Sequence, residues 1–183
     1  MGGDYAPKEA VDGLRMYLSE VSLPAKVFCI GQQEVVAPLL EAAGISEKVV
    51  LIHAPEVIGY NEHPAKALKE KQQSSIAVGF GLLAKEKIEA FISAGNTGAM
   101  LAGTMFTIKA IPGIIRPTIG TIVPKLDGTT SLLVDVGLNA DCKPEQLNQF
   151  ATLGAIYAQA ILGVEQPKVG LLNVGEEETK GNA

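Results

Sequence analysis

Short runs of β-branched and other apolar residues alternate with longer stretches whose apolar positions recur every three or four residues. The first pattern suits strands and the second one face of a helix. Lys8 to Ser19 puts Val11, Leu14 and Leu18 on one face and predicts a first helix. Ala25 to Ile30 predicts a strand closed by Gly31, and Gln33 to Ala43 a helix stopped by Gly44. Lys48 to His53 predicts a second strand, ended by Pro55. Pro64 stands where a helix can start, with Ala65 and Leu68 behind it. Ser74 to Lys87 predicts another helix, weakened by Gly79 and Gly81. Glu89 to Ser93 reads as a short buried strand. Thr97 to Ile108, apolar or small on all sides, reads as a buried helix.

The period then changes. Thr118 to Val123 and Ser131 to Val136 are strand-like and flank Lys125-Leu126-Asp127-Gly128, a hairpin signal. Pro144 opens a long helix with Leu147, Phe150, Ala151, Gly154, Tyr157, Ala158 and Ile161 on one stripe, stopped by Gly163. Lys168 to Val174 predicts the last strand. The fold class is α/β, with a mixed, mostly parallel sheet and helices on both faces. Residues 1–183 read as a single α/β domain, expected to be incomplete at both ends. Met1-Gly2-Gly3-Asp4 resembles a loop that should follow a strand, and the last strand runs into a Glu-rich loop with nothing after it.

Composition narrows the function classes. A length of 183 residues, 47% of them hydrophobic and 19% charged, suits a folded core. The net charge of −5 disfavours a general nucleic-acid binder, which carries a basic excess. Cys29 and Cys142 form neither a disulfide framework nor a zinc pattern, which suits a reducing cytoplasm. Gly2-Gly3-Asp4 after Met1 lacks the basic-then-apolar pattern of a signal peptide, so none is expected. The uncharged stretch from Ala90 is interrupted by Gly95-Asn96-Thr97-Gly98, so it reads as strand, loop and helix rather than as a membrane span.

In open α/β sheets ligands bind beyond the carboxyl ends of the strands. Four such loops carry Gly, Asn, Asp or Glu: residues 2–4, 93–99, 135–143 and 173–182. In the second, Asn96 or Thr97 can cap a helix while Gly95 and Gly98 let backbone approach an anion. The plainer alternative is an ordinary capped turn. In the third, Asp135 and Asp141 are candidate acids, Asn139 a donor and Lys143 a cation, against the alternative of a helix start at Pro144. Cys142, with no His nearby in sequence, reads as a buried thiol rather than a nucleophile. In the fourth, Glu176, Glu177 and Glu178 precede Lys180, a run that is either solvated or functional. His53 and His63 lack metal spacing, and His53 reads as structural.

Taken in order, six segments resemble the phosphate acyltransferase (PlsX) family of bacterial phospholipid synthesis. They are MGGDYAP (Met1 to Pro7), HPAKALKEKQQSSI (His63 to Ile76), SAGNTGAM (Ser93 to Met100), RPTIGTIVP (Arg116 to Pro124), LLVDVGLNADCKPEQL (Leu132 to Leu147) and VGLLNVGEEETKGN (Val169 to Asn182). Each is weak alone; six in order across the chain are specific. The family carries a short strand ahead of the first motif and further elements past the last.

The resemblance implies a three-layer sandwich similar to the isocitrate and isopropylmalate dehydrogenases. It implies transfer of a long-chain acyl group from acyl carrier protein to inorganic phosphate, giving acyl phosphate in fatty acid and phospholipid synthesis. It implies a homodimer, cytoplasmic with peripheral contact at the inner face of the membrane, and neither a metal nor an organic cofactor. Phosphate is itself the nucleophile, so no Ser-His-Asp triad is needed. The expected catalytic residues are Asn139, Lys143 and Lys180. Those expected to bind substrate or phosphate are Gly3, Asp4, Gly95, Asn96, Thr97, Gly98, Asn173, Gly175 and Glu177, converging on one crevice. The acids Asp4, Asp135 and Asp141 are expected to orient Lys or backbone.

Two other readings compete. A nicotinamide-dependent dehydrogenase of similar fold would need an Arg-rich carboxylate clamp, and the chain has only Arg15 and Arg116. A non-catalytic module docking the acidic carrier would need a basic face. Lys66, Lys69 and Lys71 offer a small one, alternatively a solvated helix face.

Overall fold

A computed structural model describes residues 1–21, 25–139, 141–173 and 175. The chain is α/β and divides into two compact units, Met1–Lys109 and Ala110–Ala183.

In the first unit, helix α1 (Lys8–Glu20) precedes strand β1 (Val27–Gly31), helix α2 (Gln33–Ala42) and strand β2 (Val49–His53). β1 and β2 pair in parallel, with Val27 opposite Val49 and Gly31 opposite His53. Parallel neighbours need a crossover, and α2 supplies it. Its buried Val36 and Leu40 join Val11 and Ile45 in one core cluster, against which Cys29 and Leu51 of the strands pack. Burial pushes the Cys29 thiol up from its ordinary value. Gly44 closes the turn after α2 at φ +68°, a conformation that glycine adopts without strain. His53 Nδ1 accepts the Gln33 N–H at 3.1 Å, so the residue ending β2 satisfies the first turn of α2.

Helices α3 (Pro64–Glu70), α4 (Ser75–Ala84) and α5 (Thr97–Gly103) build a second cluster around Ile58, Leu68, Ile76, Phe80 and Ala102. Ser74, nearly fully buried, caps α4 by accepting the Ala77 N–H at 3.3 Å. Phe80 meets Phe91 edge to face, with ring centroids 5.3 Å apart. This pair explains a glycine that looked like a flaw. A Cβ on Gly79 would collide with the Phe91 ring, and one on Gly103 with the Phe80 ring. Gly81 has open space instead.

The structure departs from expectation at two places in this unit. Residues 89–93, expected as a strand, form no ladder, and Ile92 is 92% exposed. A strand exists by hydrogen bonding to a neighbour, and among the described residues none pairs with this run. The helix expected through Ile108 keeps α geometry to Gly103 and then widens into one π-type stretch, Thr104–Ile108.

In the second unit, β3 (Gly120–Pro124) and β4 (Thr130–Val134) form the expected hairpin, antiparallel, with Gly120 opposite Val134 and Pro124 opposite Thr130. Its loop takes Gly128 at φ +81°, and Asp127 Oδ1 accepts both the Thr129 N–H at 2.9 Å and its hydroxyl at 2.6 Å. Helix α6 (Pro144–Ala160) begins at the expected Pro144 and crosses β4 at Gly154, where a Cβ would lie 3.5 Å from Val134. Phe150 and Ala158 of its apolar stripe are buried, whereas Ile161 is 65% exposed. The strand expected at Lys168 to Val174 is not formed: residues 168–173 run exposed with no ladder partner among the described residues, and Val174 lies outside them. The same physics applies, since propensity without a paired edge makes no strand.

Candidate functional site

The loops at Gly2 to Asp4 and at Gly95 to Gly98, 91 or more positions apart in sequence, meet in the first unit. The contact is backbone on backbone. A Cβ on Gly2 would collide with Gly95, and a Cβ on Gly95 would collide with Gly2, so both positions require glycine. Gly98 is constrained from another side, where a Cβ would lie 2.5 Å from Pro64 Cγ at the start of α3. Gly3 sits at φ +100°. Asp4 is exposed.

Asn96 caps α5 from a left-handed conformation, φ +38°, which asparagine tolerates. Its Oδ1 accepts the Ala99 N–H at 3.0 Å, and its Nδ2 donates to the Gly59 carbonyl at 2.8 Å. Asn96 therefore ties α5 to the turn at residues 57–62. The Gly95 N–H donates to Ser93 Oγ at 3.2 Å, and the Gly3 N–H donates to Tyr60 Oη at 2.7 Å. With those amides engaged, Thr97 and Gly98 carry the first-turn N–H groups that helix geometry leaves without intrahelical partners.

No periodic pattern in the sequence marks the 57–62 turn. Glu62 Oε1 accepts the Gly59 N–H at 2.5 Å and Lys71 Nζ at 2.6 Å, and Lys71 also donates to the Val57 carbonyl at 2.7 Å. The Lys71 ammonium, helped by the Gly59 amide, holds the Glu62 carboxyl below its ordinary value. Lys71 thus leaves the basic face anticipated for residues 66–71. Of the other two lysines there, Lys66 lies 3.9 Å from Glu70 in an exposed pair one helical turn away. Only the His-Pro opening of α3 hinted at an ordered turn before it.

In the second unit, one carboxylate organises the loop after β4. Asp135 Oδ1 accepts the Thr118 hydroxyl and the Ile119 N–H, each at 3.0 Å. Its Oδ2 accepts the Asn139 N–H at 2.7 Å and the Asn139 side-chain amide at 3.1 Å. Burial opposes the charge, but these donors outweigh it and hold the Asp135 carboxyl below its ordinary value. Asn139 Nδ2 also donates to the Pro117 carbonyl at 3.2 Å. Both hydrogens of its amide are thereby engaged, so in this arrangement the side chain presents an acceptor rather than the donor expected of it.

Lys143 precedes α6, where its N–H donates to Gln146 Oε1 at 2.8 Å, and its exposed ammonium makes no ion pair among the described residues. Cys142 is half-buried, its Sγ 3.9 Å from the Asn139 carbonyl. Asp135, Asn139, Cys142 and Asn173 line one cleft of roughly 1120 Å³ between β4, α6 and residues 167–173. Gly175 is described; Glu177 and Lys180 lie outside the described residues. Among the described residues no three His, Cys, Asp or Glu side chains are grouped as metal ligands would be.

Comparison with known proteins extends along the whole chain. A family model described as "Fatty acid synthesis protein" matches residues 1–183. A phosphate acyltransferase of Caldanaerobacter subterraneus subsp. tengcongensis is 48% identical over 182 residues, 100% of this chain and 53% of that protein. One from Chlorobaculum tepidum is 48% identical over 99% of this chain and 55% of its own length. One from Dictyoglomus turgidum is 44% identical over 100% of this chain and 54% of its own length. The chain spans about half the length of the curated relatives it matches.

Proposed function

Because the chain belongs to the fatty acid synthesis protein family, we propose that the protein carrying it is an acyltransferase that moves an acyl group from acyl carrier protein to inorganic phosphate. The observation that supports this reading is the match of all 183 residues to that family, together with relatives named phosphate acyltransferase. A phosphate oxygen attacks the thioester carbonyl. The tetrahedral intermediate collapses with cleavage of the carbon–sulfur bond, the electron pair leaves on sulfur as thiolate, and acyl phosphate and free carrier protein result. Placement of the two substrates is the main contribution asked of the protein, and in favourable cases it lowers a barrier by roughly 7–11 kcal/mol. Neither a metal nor an organic cofactor enters the scheme.

In this reading phosphate lies at the start of α5, near the Thr97 and Gly98 amides, where the partial positive charge of the helix end favours an anion. The backbone around that helix start supports it: Gly95 packs on Gly2, Gly98 on Pro64, and Asn96 caps the helix, which leaves the Thr97 and Gly98 amides on an ordered turn. The exposed Lys143 ammonium is a cation for the anionic substrates, and Asn139 is held by Asp135 beside the unit's cleft. Asp4, Asn173, Gly175, Glu177 and Lys180 remain part of the proposed substrate-handling set.

The finer readings follow the same proposal: one α/β domain in a longer protein, a three-layer sandwich like that of the isocitrate and isopropylmalate dehydrogenases, a homodimer, and a cytoplasmic site with peripheral contact at the inner membrane face. The parallel β1–β2 pair, with α1 and α2 in one core cluster against it, supports one sheet layer and one helix layer of such a sandwich. No helix of the described residues is long and apolar enough to cross a membrane.

The test is to incubate the full-length protein with acyl-acyl carrier protein and inorganic phosphate and to trap the product with hydroxylamine. Hydroxamate should form in proportion to phosphate, and Lys143→Ala should raise the phosphate concentration required. Free carrier protein released without any trapped acyl group would refute the transfer to phosphate.

A further inference from the structure

We propose that Lys71 is a positioning residue for the anion-binding backbone of the first unit, acting through Glu62 and the 57–62 turn. This rests on the reading above that phosphate is held at the start of α5.

The argument starts from the two ends of the turn. Lys71 Nζ donates to the Val57 carbonyl and to the Glu62 carboxylate, so one ammonium ties both ends together. Glu62 passes the constraint inward by accepting the Gly59 N–H. From the middle of the turn two bonds lead out. The Gly59 carbonyl accepts Asn96 Nδ2, which fixes the cap of α5, and Tyr60 Oη accepts the Gly3 N–H, which fixes the first loop. The Gly2–Gly95 contact lies between those two anchors; neither glycine has a side chain of its own, and Ser93 Oγ accepts the Gly95 N–H.

Lys71 is itself well fixed. Its N–H donates to the Ala67 carbonyl at 2.8 Å at the end of α3, and its carbonyl accepts the Ser74 hydroxyl at 2.8 Å ahead of α4. Buried Ile58 anchors the turn in the core cluster beneath it. The pair is distinguished from ordinary surface pairing by its surroundings. About a third of each side chain is exposed, against 72% and 62% for Lys66 and Glu70. Solvent-exposed i,i+4 pairs contribute little, whereas removing one partner of a sheltered, hydrogen-bonded pair leaves the other unsatisfied. Lys66 therefore serves as an internal control on the same stretch of chain.

The experiment compares full-length wild type with Lys71→Met, Lys71→Arg, Glu62→Gln and the control Lys66→Met. Inorganic phosphate binding is measured by phosphorus NMR titration, amide hydrogen exchange at Gly3 and Ala99, and kcat and KM for each substrate. Losing a charge-assisted bond corresponds to about a tenfold change in an equilibrium. Lys71→Met and Glu62→Gln should therefore weaken phosphate binding and raise its KM about tenfold, with kcat and the acyl-carrier KM unchanged. Exchange at Gly3 and Ala99 should quicken while amides of α2 stay protected. Lys71→Arg should restore part of the loss, and Lys66→Met should behave as wild type. Unchanged phosphate affinity in Lys71→Met, or a loss shared equally by the acyl carrier and by α2 exchange, overturns the proposal. If Lys71→Met does not fold, Glu62→Gln, which keeps the side-chain shape, decides alone. Wild type that binds phosphate but makes no acyl phosphate would sink the transferase reading and leave the positioning role to be judged by affinity and exchange. Wild type that binds no phosphate overturns both.

Discussion

The backbone around Gly95 and the loop around Asp135 are two solutions to the same problem, holding an irregular segment still at the end of an apolar run. The first is steric. Gly2 and Gly95 touch backbone to backbone, Gly98 lies under Pro64, and side chains act at the margin through Ser93, Asn96 and Tyr60. The second is electrostatic. One carboxylate gathers the Thr118 hydroxyl, the Ile119 N–H and both the backbone and side-chain amides of Asn139. A steric device fails when any atom is added and is indifferent to pH. A carboxylate hub tolerates atoms nearby and fails when its charge is removed.

The largest effect should come from breaking the steric region. Gly95→Ala places a methyl against Gly2 backbone, which cannot rotate away as a side chain would. A destabilisation of about 3 kcal/mol is expected, at the upper end for overpacking, read from the shift of a urea unfolding midpoint. A Gly95→Ala protein as stable as wild type would show that the two backbones do not meet.

Next comes the electrostatic region. Asp135→Asn keeps the shape but turns an NH₂ group toward two of the donors, and about 2 kcal/mol should be lost, since hydrogen bonds to charged groups contribute ~1.5–3 kcal/mol each. The effect carries a pH signature. The Asp135 carboxyl titrates below its ordinary value in the folded chain, so its contribution is full above the unfolded pKa of about 3.9 and is lost as pH falls through the lower folded value. The stability gap between wild type and Asp135→Asn should therefore be constant near neutrality and close in acid, whereas the gap for Gly95→Ala should persist there. A pH-independent gap at Asp135 would erase the distinction between the two devices.

The smallest effect sharpens the steric side. Gly79 and Gly81 sit in the same helix, α4, but only Gly79 faces a ring. Gly81→Ala should stabilise by about 0.5–1 kcal/mol through helix propensity, and Gly79→Ala should destabilise because Phe91 stands in the way. Thermal unfolding of the two variants should move in opposite directions.

Local patterning was enough for much of the fold. The stripes of α1, α2 and α6, the apolar runs of β1 and β2, Pro64 and Pro144 at helix starts, Gly44 after α2 and the Asp127-Gly128 hairpin were all legible, because each depends on residues within a turn or two of itself. Residues 89–93 and 168–173 have the composition of strands yet make none, since a strand is a property of two segments and the sequence of one does not name the other.

The candidate site divides in the same way. The Gly-Asn-Thr-Gly cap of α5 could be read from spacing, and the six ordered motifs led to the family. Tertiary structure alone decided that Gly2 lies against Gly95, that Gly79 makes room for Phe91, and that Lys71, which reads as one of a row of surface lysines, turns inward to Glu62. It also engaged both amide hydrogens of Asn139. The reason is range. Helical period, caps and turns are set by dihedral preferences and neighbours a few residues away. Close backbone approach and charge pairing are set by which distant segments the packed core brings within a few ångströms, and no spacing along the chain encodes that distance.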